Sequence, residues 1–531
     1  MRCLPAAIIF AAGLGSALPC AAQTSVDGHS PMSLLPEVFT RLDYVAGTDV
    51  LRSQPSPATT DSDSSLDKSN SDYSQEDMDL ALENFFYALE DLVEAASQYD
   101  VTAHANPDRQ FVQVQFPAQV MSSLANRTGS DRATSTAIAS QQGSTTLPAI
   151  RARQEDSASS SNLAEFKFNG LSRVNLEHND NIYTTRTNTR SDQILTASIN
   201  GIAESRSRTR ALKLEGNINN GNYNQNSDNN YTDWDATASY STLLGPRSKG
   251  FAGFGYFYHH EEKGEGSTDG NQAFTIGEPI EFQSWVSRGI YELGTQQART
   301  RFVADGKLDL LRTTNFDDIE AIKSRDRDIA SFTGTAYYKW TPRLSYLTEV
   351  RHLNISYINN LNNNTLDSTQ TRLALGAEWL ATRKTAGSLR FGLQDKQYDN
   401  PANQDTRRIS WEAVVEWAPK PRTEIVFETI RDTEESDGFG VARDRTDYKI
   451  TWDQRWTPKV SIRTSFQHGI TDFQESIRED NINFIDTQLT YSLSSKAAAM
   501  LKLTYIDNSS NVVEYGFERS QIQLGVNLEL D

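Results

Sequence analysis

The sequence predicts an all-β fold, a transmembrane antiparallel up-and-down β-barrel of about 18 strands. A largely disordered periplasmic segment with one amphipathic helix precedes it. Three observations carry this reading. Long stretches alternate apolar and polar residues, tryptophan recurs at a near-constant interval, and no stretch beyond the leader is long and apolar enough to cross a bilayer as a helix.

The recurring residues are Trp340, Trp379, Trp417 and Trp456, spaced by 39, 38 and 39 residues. Each closes an alternating stretch and precedes a short basic turn, as in Trp340-Thr341-Pro342-Arg343, Trp417-Ala418-Pro419-Lys420 and Trp456-Thr457-Pro458-Lys459. A period of this length fits either a propeller blade of four short strands or a barrel hairpin of two long ones. The content of a period decides. Ile409, Trp411, Ala413, Val415 and Trp417 alternate with Arg408, Ser410, Glu412, Val414 and Glu416, and Leu389, Phe391 and Leu393 alternate with Arg390, Gly392 and Gln394. Two long strands fill the span, so the hairpin is expected.

The pattern runs back to about Leu163, and the 368 residues from 163 to 530 hold about eighteen strands at this spacing. Short turns are expected near Ser207, Pro246, Gln296, Pro342, Arg383, Lys420, Pro458 and Lys496; alternation is weakest from Glu261 to Thr300. The short turns are basic and the long loops acidic. Long loops belong outside the cell and short turns, with both termini, in the periplasm. The four tryptophans then form part of the periplasmic aromatic girdle.

Residues 1–22 read as a secretory leader, with Arg2, an apolar stretch from Leu4 to Leu18, and cleavage before Gln23. Cys20 brings a lipoprotein to mind, but Ala17 and Pro19 fit a lipobox badly. Both cysteines lie in the leader, so the mature chain has no disulfide or thiolate metal site. Losing one basic residue takes the net charge from −19 to −20, against nucleic-acid binding.

Residues 23–162 form a separate periplasmic segment, low in complexity, with a helix over about 74–99. Met78, Leu82, Phe85, Phe86, Leu89, Leu92, Val93 and Ala96 stripe one face and acidic residues the other. That stripe suits loose self-packing or dimerisation, docking to a partner, or a plug in the lumen. The barrel proper is expected over 163–531.

Chemistry for an enzyme is not expected. No histidine lies in a recognisable catalytic motif, and His259-His260-Glu261-Glu262 chelates poorly because neighbouring strand residues point to opposite faces. No cofactor and no metal are expected. Function falls to charged residues on the polar strand faces. The candidates for lining the pore are Arg173, Glu177, Lys213, Glu215, Asp233, Asp235, Arg372, Glu378, Arg390, Arg408, Glu412, Lys449, Asp453 and Arg463. They either pair across strands to stiffen the wall or offer a mixed-sign surface along which a polar polymer slides.

The last strand, with Gln523, Gly525, Leu528 and Leu530, resembles the C-terminal signal by which outer-membrane barrels are recognised for assembly, although the chain stops at Asp531. Further motifs are Asn179-Asp180-Asn181-Ile182-Tyr183, Ser191-Asp192, Trp417-Ala418-Pro419, Arg431-Asp432-Thr433-Glu434-Glu435, Arg478-Glu479-Asp480 and Tyr515-Gly516-Phe517-Glu518-Arg519. With these, residues 163–530 resemble the outer-membrane β-barrel porin family associated with capsule and exopolysaccharide synthesis and export. The resemblance implies a passive conduit for exported polysaccharide. Its partners would be outer-membrane lipid, the barrel-assembly machinery, the polysaccharide and a periplasmic or inner-membrane export partner. A general or small-solute porin, or a non-conducting surface or adhesion barrel, would share the same fold.

Overall fold

The computed structural model describes residues 165–530, apart from 296–297, 361–363, 383 and 437. Eighteen antiparallel strands form one sheet that closes on itself, each strand pairing with its neighbour in sequence and the first with the last. They begin β1 (Lys167–Asn179), β2 (Asp192–Arg206), β3 (Arg210–Tyr223), β4 (Tyr231–Gly245), β5 (Ser248–Glu261) and β6 (Ile280–Leu293). The wall continues with β7 (Thr300–Thr313), β8 (Arg327–Thr341), β9 (Leu344–Tyr357), β10 (Ser368–Thr382), β11 (Thr385–Tyr398) and β12 (Thr406–Lys420). It ends with β13 (Thr423–Glu435), β14 (Ala442–Arg455), β15 (Val460–Phe473), β16 (Glu479–Ser494), β17 (Ala497–Ser510) and β18 (Phe517–Leu530). Closure leaves no free edge, so every strand has a hydrogen-bonding partner on each side.

The expected turns at Ser207, Pro246, Pro342, Lys420, Pro458 and Lys496 all fall at one end of the barrel, where connections are short; Gln296 and Arg383 lie outside the described residues. So does the predicted helix over 74–99. The recurring tryptophans mark where strands leave the ladder. Pairing slips between Lys339 and Thr341, between Trp379 and Thr382, and between Trp417 and Lys420. Pro419 sits inside the last slip, where the missing N–H costs no ladder bond.

Burial is inverted relative to a water-soluble protein. On β10 and β11, Leu373, Leu375, Leu389, Phe391 and Leu393 are exposed, while Arg372, Arg390, Gln394 and Lys396 are buried. A band of exposed leucine, isoleucine, phenylalanine and tryptophan around a closed sheet is the surface that hydrocarbon covers.

The inversion stops near the long-loop end. On β9 the outward residues run Tyr346, Thr348 and Val350, then His352, Asn354 and Ser356, while the inward ones run Glu349 and Arg351, then Leu353, Ile355 and Tyr357. The polarity of both faces flips within one strand. Ile482, Phe484, Ile506 and Phe517 make a second inward apolar cluster on β16, β17 and β18. Strands here run 13 to 16 residues, whereas a tilted strand crosses hydrocarbon in about 9–11. The surplus forms a crown above the membrane that folds like an ordinary soluble sheet, apolar inside and polar outside. The expectation of apolar-out and polar-in along whole strands is therefore corrected at this end.

Candidate functional site

The candidate site is the lumen and its mouth. By register, all the predicted pore residues sit at inward positions, but the structure sorts them into two unlike walls.

The first wall, on β9–β13, is packed solid with ions. Arg390 on β11 holds Glu349 on β9 at 3.1 Å and Glu412 on β12 at 3.0 Å, and lies 3.6 Å from Glu378 on β10. Arg351 on β9 reaches Asp432 on β13 at 2.6 Å. Four strand spacings separate those two along the wall, roughly 19 Å on a flat sheet, so the wall curves sharply inward here. Arg372 and Glu412 are only 2% and 1% exposed. Lys449 on β14 is equally buried, 3.7 Å from Glu428 on β13. Arg408 is in register with Gln394, but its side chain turns to Asp444 at 2.8 Å, above Trp411, the last residue through which β12 pairs with β13.

The second wall runs from β16 through β18 and β1 to β4, and it is open. Gln488, Gln523, Asn527, Asn175, Asn200, Asn217 and Asn219 are all half-buried on the inward face. Arg173, Glu177, Lys213, Glu215 and Asp235 stand among them, with Lys213 bonded to Glu215 at 2.5 Å. Lower on the barrel, Arg463 meets Asp453 at 2.6 Å. Three of the amides are loosely held. Asn217 donates to Asp235 at 3.3 Å, Asn200 to Glu215 at 3.4 Å and Gln523 to Glu177 at 3.5 Å. Asn175 donates to Thr196 at 3.0 Å and Gln488 to Thr490 at 3.1 Å, and the side-chain oxygens of Asn175 and Asn527 are buried. Each primary amide offers two donors and an acceptor with two lone pairs, so the strip keeps spare capacity beyond these bonds.

The mouth is bridged by residues 262–279, the loop from β5 to β6. Gly264, with φ of +95°, brings the backbone against Tyr183, where a Cβ would lie 1.9 Å from the Tyr183 carbonyl oxygen. From there the loop is gripped by arginines from distant strands. Arg519 on β18 donates to Glu262 at 3.1 Å and lies 3.7 Å from Glu265. Arg478, just before β16, donates to Asp269 at 2.6 Å. Arg325, before β8, forks onto Glu261 with bonds of 2.8 and 2.6 Å. Ala273 packs with Ile182, Tyr183, Ile194 and Tyr223. Burial opposes the charge of Arg478, yet the hydrogen bond to Asp480 and the field of Asp269 outweigh it and raise its pKa. The guanidinium also lies over the rings of Tyr515, Phe473 and Phe439 at 4.0, 4.5 and 4.8 Å.

Asp233, expected in the open pore, is instead buried at this end, bonded to His260 Nδ1 at 2.8 Å with the imidazole stacked on Tyr231. His260, at the end of β5, is therefore buried with it. The tryptophans fall at the short-turn end, where Trp340, Trp417 and Trp456 are exposed and Trp379 half-buried. Gln523 and Gly525 face inward on β18, and Leu528 and Leu530 outward.

Sequence reasoning missed Glu349, Arg351 and Asp432 on the packed wall and the arginines that grip the loop. A signal was present for Asp432, Arg478 and Arg519, and none for Arg325. Arg478, Asp480, Tyr515 and Arg519 belong to motifs that carried the family resemblance.

The sequence profile described as Putative beta-barrel porin 2 matches residues 162–530. No curated protein matches the chain. Among solved structures, the chain is similar to the outer membrane protein OpdK from Pseudomonas aeruginosa at a TM-score of 0.41 and 11% identity, covering 69% of this chain and 98% of that one. A BenF-like porin from Pseudomonas fluorescens Pf-5 is similar at 0.40 and 9%, covering 69% and 100%. OpdL from Pseudomonas aeruginosa is similar at 0.38 and 12%, covering 69% and 98%.

Proposed function

The chain belongs to the Putative beta-barrel porin 2 family, and from that premise we propose that this outer-membrane porin barrel is a passive conduit for a polysaccharide leaving the cell. The open amide wall is the observation that supports it. A glycan presents hydroxyls at every residue, and a strip of loosely bonded asparagine and glutamine exchanges hydrogen bonds with hydroxyls without holding any one of them tightly. Lys213, Glu215, Arg173 and Glu177 add both signs of charge to the same strip. The long loops are outside the cell and both ends in the periplasm, where residues 23–162 meet an inner-membrane or periplasmic partner. The C-terminal strand is the element read by the barrel-assembly machinery.

A general porin for small polar solutes is the second reading, favoured by the loop that bridges the mouth. Single-channel recording of the refolded protein in planar bilayers, with residues 23–162 present and deleted, separates the readings. The conduit reading expects current in the full chain that long neutral polysaccharide blocks and monosaccharide does not. Equal passage of small solutes with no polymer block makes it a general porin. Current only after deletion makes residues 23–162 a plug, and no current in either form leaves a structural or adhesive barrel.

A further inference from the structure

The packed and open walls meet on β5, and the seam between them is aromatic. Along the lumen face of that strand run Phe251, Gly253, Gly255, Phe257 and His259. The two phenylalanines lean toward each other over the two glycines. A Cβ on Gly255 would lie 2.6 and 2.8 Å from Cε2 and Cζ of Phe257, and one on Gly253 would lie 3.1 Å from Cε1 and Cζ of Phe251. Glycine leaves room for these rings to lie along the wall rather than stand out into the lumen.

The two rings differ in what covers them. Phe251 packs onto the buried cluster of Ile290, Val303, Tyr337 and Leu347. Phe257 belongs to none of the apolar clusters among the described residues. Its neighbours in register are polar, Asp235 on β4 and Ser284 on β6. Ser284 is occupied with Asp309 at 3.2 Å. The open side is β4, where Asp235, Thr237 and Ser239 are half-buried, as Phe257 itself is. Asp235 accepts one hydrogen bond among the described residues, from Asn217 at 3.3 Å, where an ionised carboxylate has room for about four. Packing does not explain a ring left half open beside a carboxylate with spare acceptors.

On the outer face of the same stretch, Trp234 and Trp285 lie 4.9 and 5.2 Å from Tyr256, ring centre to ring centre. Aromatic residues gather at the membrane interface. Phe257 therefore stands near the outer interface, just before β5 runs into the loop that bridges the mouth.

The face of a pyranose that carries axial C–H bonds is weakly positive and the face of a phenyl ring weakly negative, so the two stack. Acceptors beside the ring then take the sugar's hydroxyls. We infer that Phe257, with Asp235 beside it, is a stacking subsite for a neutral pyranose unit of the passing glycan. The Asp235 carboxylate repels uronic acids, which sets the preference for neutral sugars. The inference rests on the conduit reading and names the class of sugar that the conduit carries.

The test records the full-length protein in planar bilayers with cellohexaose, hexagalacturonate, glucose and a polyethylene glycol of the same hydrodynamic size as the hexasaccharide. Wild type is expected to be blocked longer by cellohexaose than by hexagalacturonate or by the glycol, which blocks by size alone. Phe257→Leu keeps an apolar side chain and loses the ring face. It shortens the cellohexaose block by about threefold to tenfold and leaves the glycol block unchanged. Phe257→Trp holds or lengthens the cellohexaose block. A heat-modifiable shift in gel mobility confirms that each variant closes its barrel. If Phe257→Leu does not close, Asp235→Asn carries the test, with block by hexagalacturonate rising toward that by cellohexaose. Block by glucose as strong as block by the hexamer would sink the conduit reading and keep the subsite. If wild type passes no current the channel reading fails by itself, and saturation-transfer NMR of cellohexaose with the detergent-solubilised protein then reads sugar contact in wild type against Phe257→Leu. Equal block by cellohexaose and the glycol, a longer block by hexagalacturonate, or a cellohexaose block or contact unchanged in Phe257→Leu overturns the subsite.

Discussion

At the scale of single residues, burial decides what a charge is worth. Arg390 lies between Glu349 and Glu412 with all three nearly inaccessible. Removing one partner of such a group strands the others in a poorly solvated place. Arg390→Ala is expected to cost about 3–5 kcal/mol, read as the shift in urea unfolding of the protein in lipid vesicles. The Lys213–Glu215 pair on the open wall has the same chemistry and a good distance, but its lysine side chain is 39% exposed. Lys213→Ala is expected to cost about 0–1 kcal/mol. Equal losses at the two sites would refute the division of the lumen into a packed and an open wall. Both lysine and arginine were readable as inward from alternation alone; their difference in burial was not, because it depends on strands two to four places away.

At the scale of the strand, the alternation of β9 records where the membrane ends. Leu375 on β10 faces hydrocarbon, whereas Asn354, outward on the same sheet, belongs to the crown. Leu375→Arg is expected to destabilise the barrel by about 2–4 kcal/mol and Asn354→Arg by about 0–1. The check is folding yield and urea midpoint in vesicles; a loss at Asn354 as large as that at Leu375 would move the bilayer boundary up the strand. The tryptophan repeat is also an element-scale feature. Three of the four tryptophans lie at a slip in pairing at the short-turn end, at Lys339–Thr341, Trp379–Thr382 and Trp417–Lys420, while Trp456 directly follows β14, whose pairing with β15 runs without a slip.

At the scale of the whole molecule, the loop 262–279 ties the mouth together. Its anchors are far away in the chain, with Asp269 and Arg478 separated by 209 positions and Glu262 and Arg519 by 257. Salt screens buried pairs weakly, so ionic strength alone is not expected to free the loop. Arg519→Gln combined with Arg478→Gln is expected to do so, raising unitary conductance and lengthening open events in bilayer recordings. An unchanged current in the double variant would show that the loop does not limit passage.

The sequence by itself determined the strands, their number, the turns between them and the face each residue takes. Those depend on a period of two and on local turn chemistry, and both are written in neighbouring residues. Trp411 and Glu412 fall on opposite faces for no reason beyond the pleat. The tertiary structure alone decided which inward charges are sealed and which meet water, where apolar and polar faces exchange, and what bridges the mouth. Arg351 meets Asp432 only because the wall bends, and Arg519 meets Glu262 only because the barrel closes and brings β18 and the loop after β5 to the same rim. Closure is a property of the whole sheet, so no window along the chain contains it.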